Sequence, residues 1–217
     1  MILFEDVTYT YPSGSGLFNA NIRIEDGEFV YLIGPTGSGK TTIMRLIYMD
    51  LFPINGNLKI QGVSSLKLKK RKIAKLRIDI GMIFQDYKLL PNRTLYENVA
   101  LPLHVLGTHK KKAHEMVMAI LMEFGLEEQA QNYPRELSGG ELQRACIARG
   151  LVKKPHILLA DEPTGNLDPA SAFQIIKLLE KINSNGTTVL MASHDYGLIK
   201  DRPARFIEIQ NGIVHNE

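Results

Sequence analysis

Alternation of apolar and polar positions marks the first part of the chain as strand-rich. Residues 2–9, 18–24 and 29–33 carry apolar side chains at every second position or in a short unbroken run, the signs of half-buried and buried strands. The third run, FVYLI, stops at a glycine-rich turn, after which a helix is predicted from Lys40 to about Met49. A short strand is predicted at 57–60, a basic helix within 67–77 and a strand at 78–84. The period then lengthens, and 95–103, 111–124 and 140–152 read as helices. Beyond them the alternation returns, with strands at 157–161, 187–192 and 204–210, a helix at 170–183, and a hairpin turn at Asn211-Gly212 into a last short strand.

Strands separated by helices of this length need crossover connections, so the fold class is α/β with a mainly parallel sheet covered on both faces. Residues 85–150 interrupt the alternation and are predicted to form an inserted α-helical subdomain. Residues 1–84 and 151–217 then form the core of a single domain, and no repeat or low-complexity tract divides it.

Composition narrows the class. With 217 residues, 44% hydrophobic and 23% charged, the chain has the material of one globular unit. Glu5 and Asp6 stand where a signal peptide would carry positive charge, and no apolar run approaches the roughly 18 residues of a membrane span. The expectation is a cytoplasmic protein that does not itself cross a membrane. The single cysteine, Cys146, excludes an internal disulfide and reads as a small buried side chain. A net charge of +3 makes no case for nucleic acid. The basic residues are instead concentrated: seven fall within residues 67–77, KLKKRKIAKLR, where Leu68, Ile73 and Leu76 share a helical stripe. Two readings of that segment stand, a solvated helix face or a surface turned to anionic lipid headgroups or an acidic partner.

The candidate chemistry begins at the glycine-rich turn. Gly34, Pro35, Thr36, Gly37, Ser38, Gly39, Lys40 and Thr41 satisfy G-x-x-x-x-G-K-[ST] between a predicted buried strand and a predicted helix, the context this phosphate loop requires. Gly37 and Gly39 let the backbone curl so that successive N–H groups face phosphate oxygens, aided by the helix N-terminus. Lys40 is then placed to reach the β and γ phosphates of ATP, and Thr41 to offer its hydroxyl to Mg²⁺.

Residues 157–162, ILLADE, form an apolar strand ending in two carboxylates, and in phosphate-loop proteins such a strand brings an acid to the metal. Asp161 is the metal-side candidate. Successive strand residues point to opposite faces, so Glu162 is assigned the attacking water as general base. A helix N-cap or a solvent-facing strand end is the plainer reading of either acid. Residues 187–194, TTVLMASH, repeat the arrangement with His194 at the strand end. A lone histidine is usually a surface residue, but a third functional strand end in one open sheet favours contact with the γ phosphate and orientation of the water. The other histidines show no ligand-like grouping, and His109 and His114 lie among lysines.

Residues 137–141, LSGGE, followed by Leu142, Gln143 and Arg144, resemble the signature motif of ATP-binding-cassette proteins. This resemblance covers nearly the whole chain and implies the cassette ATPase fold, with an antiparallel β subdomain beside the parallel core. It implies that Tyr11 stacks on adenine, that Gln85 serves both metal and catalysis, that residues 166–168 form the D-loop with Asp168 on the nucleotide side, and that His194 is the switch histidine. Thr42, Ser138, Gly139, Gly140 and Glu141 join the nucleotide contacts. Ser138, Gly139 and Gly140 at a helix start also make an anion site without a phosphate of its own. In the family that site closes over the γ phosphate held by the other subunit, so two MgATP are sandwiched in a head-to-tail homodimer whose opening drives a transmembrane partner. Leu142 and Gly150 depart from residues common among relatives, Gln and Ala, and neither is a predicted catalytic group.

Within the family, residues 158–168, LLADEPTGNLD, resemble the subgroup that includes the cell-division ATPases of the FtsE family, lipoprotein-release ATPases and MacB-type efflux ATPases. FQDYKLLPNRTLYENV, residues 84–99, most resembles the FtsE family, whose members pair with the membrane protein FtsX and regulate cell-wall hydrolases at the division site. YENVALPL, residues 96–103, is also at home in the lipoprotein-release group, which stays open as the alternative. The lack of a sizeable extension after Glu217 argues against the MacB type. The expected location is peripheral, on the cytoplasmic face of the inner membrane. An ATPase acting on nucleic acid or ribosomes would need a second cassette or a long coiled coil, for which there is no room. Intact Glu162 and His194 speak against a module that only binds ATP.

Overall fold

The computed structural model describes residues 1–66 and 68–216, so the basic segment is described from Leu68 onward, and Lys67 and Glu217 lie outside the described residues. Strands β1 (Ile2–Thr10), β2 (Gly16–Ile24), β4 (Asn55–Ile60) and β5 (Val63–Ser64) form an antiparallel sheet in the order β2-β1-β4-β5. A second sheet runs β10-β9-β3-β8-β7-β6, built from β3 (Phe29–Ile33), β6 (Ile80–Ile83), β7 (Ile157–Asp161), β8 (Thr188–Ser193), β9 (Arg205–Gln210) and β10 (Ile213–Asn216). Its pairings are parallel except β9 with β10, the hairpin closed at Asn211-Gly212. The mainly parallel core and the antiparallel subdomain are thus both present.

Period-2 alternation divides the interior in two. Val30, Leu32, Ile157, Leu159, Leu190, Ala192, Ile207 and Ile209 pack with the antiparallel sheet and helix α1 (Lys40–Ile47). Tyr31, Leu158, Ala160, Val189 and Met191 face the opposite way, toward helices α3 (Leu95–Val105), α4 (Lys110–Glu123), α5 (Gly139–Leu151) and α6 (Pro169–Ser184). The central strands are therefore apolar on both faces, which explains their unbroken hydrophobic runs. Helices α3, α4 and α5 lie in the chain between β6 and β7, and α5 returns to pack on β6. There the backbones come close enough that a Cβ on Gly81 would stand 2.7 Å from the Gly150 carbonyl oxygen.

The strand expected at 78–84 is shorter. Helix α2 (Lys70–Ile78) still includes Ile78, and Asp79 caps it before β6 starts at Ile80. Leu76 is buried while Ile73 and Leu68 pack at the core edge, so the helical period persists to the end of α2. Three elements went unpredicted because they are too short to show a period: β5, a 3-10 turn at Pro134–Glu136 and helix α7 (Tyr196–Ile199). Asp195 starts the last by accepting a hydrogen bond from the Leu198 amide.

Candidate active site

The phosphate loop follows β3 and turns directly into α1. Gly34, Gly37 and Gly39 have φ of 144°, 79° and 120°, the region where a Cβ is costly. At Gly34 space demands glycine as well, since a Cβ would lie 2.1 Å from the Ile209 carbonyl oxygen. Ser38 donates its backbone N–H to Pro35, and its carbonyl accepts from Gly212, tying the loop to the β9–β10 turn. Its buried hydroxyl has no partner among the described residues. Lys40 is buried, and its Nζ donates to the carbonyls of Gly34 at 2.7 Å and Pro35 at 3.0 Å. The ammonium is thus folded onto the concave side of its own loop.

At the end of β7, alternation sends Asp161 to the α1 side, where it accepts a hydrogen bond from Thr41 Oγ1 at 3.2 Å. Burial pushes the Asp161 carboxyl above its ordinary range; the Thr41 bond pulls the other way, and the neighbouring Glu162 charge adds to the rise. Glu162 follows the strand's end, with φ of 47°. Its side chain is therefore separated from Asp161 by a left-handed backbone turn, in addition to the alternation expected from sequence. Lys40 Nζ stands 3.6 Å from Glu162 Oε1. On the other oxygen, Oε2, Gln85 Nε2 donates at 3.2 Å and His194 Nδ1 lies at 3.0 Å. Three elements distant in sequence thus deliver a lysine, an amide and an imidazole to one partly buried carboxylate.

These groups line a cleft of about 400 Å³ with Tyr11, Ser15, Thr36, Gly37, Gly39, Thr41 and Thr42. Tyr11, edge-on to Tyr9 with centroids 5.0 Å apart, reaches Thr42 Oγ1 at 3.4 Å. Pro35 faces an adjoining cavity with Gly34 and His194. A larger cavity of about 790 Å³ lies between α4 and residues 182–187 and contains none of these groups. The smaller cleft is the chemical site because the phosphate-loop donors converge there with Glu162, Gln85 and His194.

Ser138, Gly139, Gly140 and Glu141 are not in that cleft. They begin α5, where Ser138 and Glu141 form a reciprocal capping box that holds the Glu141 carboxyl below its usual range. Beside them runs the D-loop: a Cβ on Gly139 would lie 3.7 Å from Leu167 and 4.0 Å from the Asn166 carbonyl oxygen. Asp168 caps α6 by accepting from the Ala170 and Ser171 amides, each at 3.0 Å; the Ser171 side chain first, and then these amides, hold its carboxyl below the ordinary range. His114 reaches Tyr96 Oη at 3.2 Å, and His109 is exposed at the start of α4.

One link escaped the sequence reading. Tyr87 and Lys88, just after Gln85, have φ of 60° and 52°. Arg149 holds both, donating to the Tyr87 carbonyl at 2.6 Å and the Lys88 carbonyl at 2.5 Å, and the Cys146 thiol donates to the Tyr87 carbonyl at 3.2 Å. Burial pushes that thiol up to about 12, so it stays protonated. Both clamping residues sit on α5, the helix that Ser138 starts, so the Gln85 loop and the signature motif are joined by one rigid element. Nothing in an isolated Arg149 or Cys146 signals this contact.

Fold and site together define a phosphate-loop ATPase of the cassette type. The ABC transporter family matches residues 17–165, and the chain belongs to that family. Similar curated proteins include the cell division ATP-binding protein FtsE of Streptococcus pneumoniae serotype 2, 42% identical over 215 residues, 99% of this chain and 94% of its own. FtsE of Mycobacterium tuberculosis is 45% identical over 220 residues (100% and 96%), and FtsE of Escherichia coli K12 is 44% identical over 216 residues (99% and 97%). Among solved structures, the ATP-binding cassette MJ0796, a dimer in a post-hydrolysis state bound to ADP and Pi, has a TM-score of 0.89 at 35% identity, covering 100% of this chain and 97% of that one. CbiO1 of Clostridium perfringens, part of the ABC transporter complex cbiONQ, has a TM-score of 0.88 at 28% identity, covering 99% and 86%.

Proposed function

We propose that the protein hydrolyses ATP between two copies of itself as the ATPase subunit of an FtsE-FtsX-like membrane complex in bacterial cell division. The observation that carries the catalytic half is the convergence of Lys40, Gln85 and His194 on Glu162. In this reading adenine stacks on Tyr11, and the amides of residues 36–42 receive the phosphates. Lys40 exchanges its two loop carbonyls for β and γ oxygens. Glu162 accepts the proton of a water as that water's oxygen bonds to the γ phosphorus, and the β–γ bridging oxygen leaves with its electron pair on ADP. His194 and Gln85 hold the Glu162 carboxylate toward the water and the γ phosphate.

Thr41 Oγ1 and Asp161 Oδ1, 3.2 Å apart beside the loop, form an oxygen donor set that fits Mg²⁺, and Gln85 lies at the same cleft. An ion here would be held by one carboxylate, one hydroxyl, waters and the substrate's phosphates, the ligand set Mg²⁺ commonly takes. When bound, the ion supplies charge neutralisation of the transferring phosphoryl oxygens. Its charge would offset the burial that raises the Asp161 pKa.

Ser138, Gly139, Gly140 and Glu141 need a second copy to reach a phosphate, because their own chain holds them outside the cleft. We assign to them the γ phosphate of a partner's nucleotide, with Asp168 and the D-loop at the same seam. MJ0796 as a dimer bound to ADP and Pi supports this reading. The FtsE names of relatives 42–45% identical over nearly the whole chain support the division role, with lipoprotein release as the alternative. Among the described residues no helix is long and apolar enough to cross a membrane. The partner therefore supplies the span, docking at the groove of about 420 Å³ between α2, α3 and α5, with residues 85–150 as the moving subdomain. Purification from detergent-solubilised membranes should recover a transmembrane protein; recovery only in soluble complexes would contradict the proposal. A co-purified cell-wall hydrolase regulator would favour division, a lipoprotein chaperone the alternative.

A further inference from the structure

The docking groove has a charged border that the ATPase chemistry does not use. On α2, Leu76 is buried, Ile73 packs at the core edge and Arg77 is half-buried, so the opposite arc of the helix faces solvent. There Lys69, Lys70, Arg71, Lys72 and Lys75 are all exposed, and no carboxylate lies within ion-pair distance of them among the described residues. Across the groove, α3 ends in an apolar rim of Leu101, Val105 and Leu106, of which Val105 is 80% exposed. Four residues after Leu106 the chain continues with Lys110, Lys111 and Lys112, exposed and likewise without an ion pair. The groove between repeats the pattern: Arg77 donates to the carbonyls of Tyr48 and Met49, and Arg149 to those of Tyr87 and Lys88, so its cations are satisfied by backbone rather than by acids.

Such a face is costly to assemble in water. Five like charges crowded at 69–75 repel one another, as do the three of Lys110–Lys112, and an exposed valine and two leucines at the groove's rim gain nothing from solvent. Both costs are relieved at an anionic bilayer surface. Long basic side chains there exchange counterions for phosphate headgroups, and a shallow apolar rim enters the headgroup boundary. A single partner carboxylate would match a pocket with converging donors. The α2 cations instead fan across the helix's outer arc, a geometry suited to a broad plane of negative charge. We propose that α2, with the α3–α4 junction, is a lipid-contacting surface that binds anionic phospholipid headgroups directly and orients the groove toward the membrane. This rests on the reading that the protein works at a membrane, and adds that the cassette itself, not only its partner, touches the bilayer.

The test uses the full chain and vesicles of phosphatidylcholine with or without phosphatidylglycerol, comparing wild type with the variant carrying Lys69→Gln, Lys70→Gln, Arg71→Gln, Lys72→Gln and Lys75→Gln. Wild type should co-sediment with anionic vesicles only, and release at about 0.5 M salt, where screening is short-ranged. Each basic side chain is worth about fivefold at an anionic surface, so the variant should bind at least about a hundredfold more weakly. Its ATP hydrolysis in solution should equal that of wild type, and its melting temperature should be no lower, since the mutual repulsion of the five cations is gone; together these show that it folds. Equal binding to neutral and anionic vesicles overturns the inference, as does a variant that binds like wild type. Failure to bind any vesicle, with the variant losing only capture of a membrane protein partner, overturns it in favour of an acidic protein surface. Intact ATP hydrolysis in those outcomes leaves the ATPase reading standing; its loss in wild type would be a failure of that reading instead.

Discussion

His194 Nδ1 and Glu162 Oε2 stand 3.0 Å apart although 32 residues separate them in sequence. The pair exists because β7 and β8 are parallel neighbours ending at the same level, with Asp161 opposite Ala192 in the register. A strand end that carries an acid therefore meets the next strand end that carries an imidazole. Glu162→Gln keeps the shape and the contacts that an amide can make but removes the proton acceptor. Turnover should fall at least about a hundredfold, as for loss of a general base. ATP affinity should be kept, and the ATP-bound dimer should accumulate on size exclusion.

The proposed mechanism couples His194 to the water through the Glu162 carboxylate, 3.0 Å away, so the two should not be independent. His194→Ala should lower the hydrolysis rate by about tenfold to a hundredfold. Combined with Glu162→Gln it should cost little more than Glu162→Gln alone. Single-turnover phosphate release from all three variants measures the coupling. Additive losses would show that His194 acts apart from the carboxylate.

Much of this site was legible because its parts are short motifs at strand ends. The phosphate loop, ILLADE and the histidine after TTVLMAS each declare themselves by composition and by the strand before them, and the parallel sheet brings them together. Three things were not legible. The left-handed turn at Glu162 is set by tertiary packing, since Glu162 itself gives no sign of φ 47°. The clamp of Arg149 and Cys146 on Tyr87 joins residues some 60 apart and has no motif. Helix α7, at four residues, is shorter than the window any periodicity needs. The boundary of α2 also shifted, because Ile78 reads as strand by side-chain type while Asp79 sets the turn.

Asp161 carries a charge that burial disfavours until a cation arrives. Its folded pKa is raised, so the folded state holds the proton more tightly than the unfolded chain. The resulting destabilisation is absent below the ordinary carboxylate pKa and complete above the raised one. Asp161→Asn should therefore raise the melting temperature of the nucleotide-free protein at pH 7 by about 2 °C, the gain vanishing near pH 4. Hydrolysis of MgATP should fall at least about a hundredfold. Thermal melts across this pH range, beside a phosphate-release assay, check both. A lower melting temperature at pH 7 would contradict the account.

Gly150 lies in α5, where glycine is less favourable than alanine by up to about 1 kcal/mol. A Cβ there would meet Leu158 Cδ1 at 3.5 Å, an ordinary contact. Gly150→Ala should raise the melting temperature by about 2–4 °C with activity unchanged. Its neighbour makes the contrast: Gly81→Ala should lower stability, since its Cβ would press on the Gly150 carbonyl. Denaturant unfolding of the two variants separates helix propensity from close packing.

In the proposed mechanism the cleft around Lys40 and Glu162 is half a site, completed by Ser138 and Gly140 of a second copy. The most direct test is the rate of ATP hydrolysis per chain at saturating MgATP, measured across protein concentrations that span the monomer–dimer transition. Activity per chain should climb with concentration and level off as dimers fill. A constant rate per chain, carried by monomers at every concentration, would contradict it.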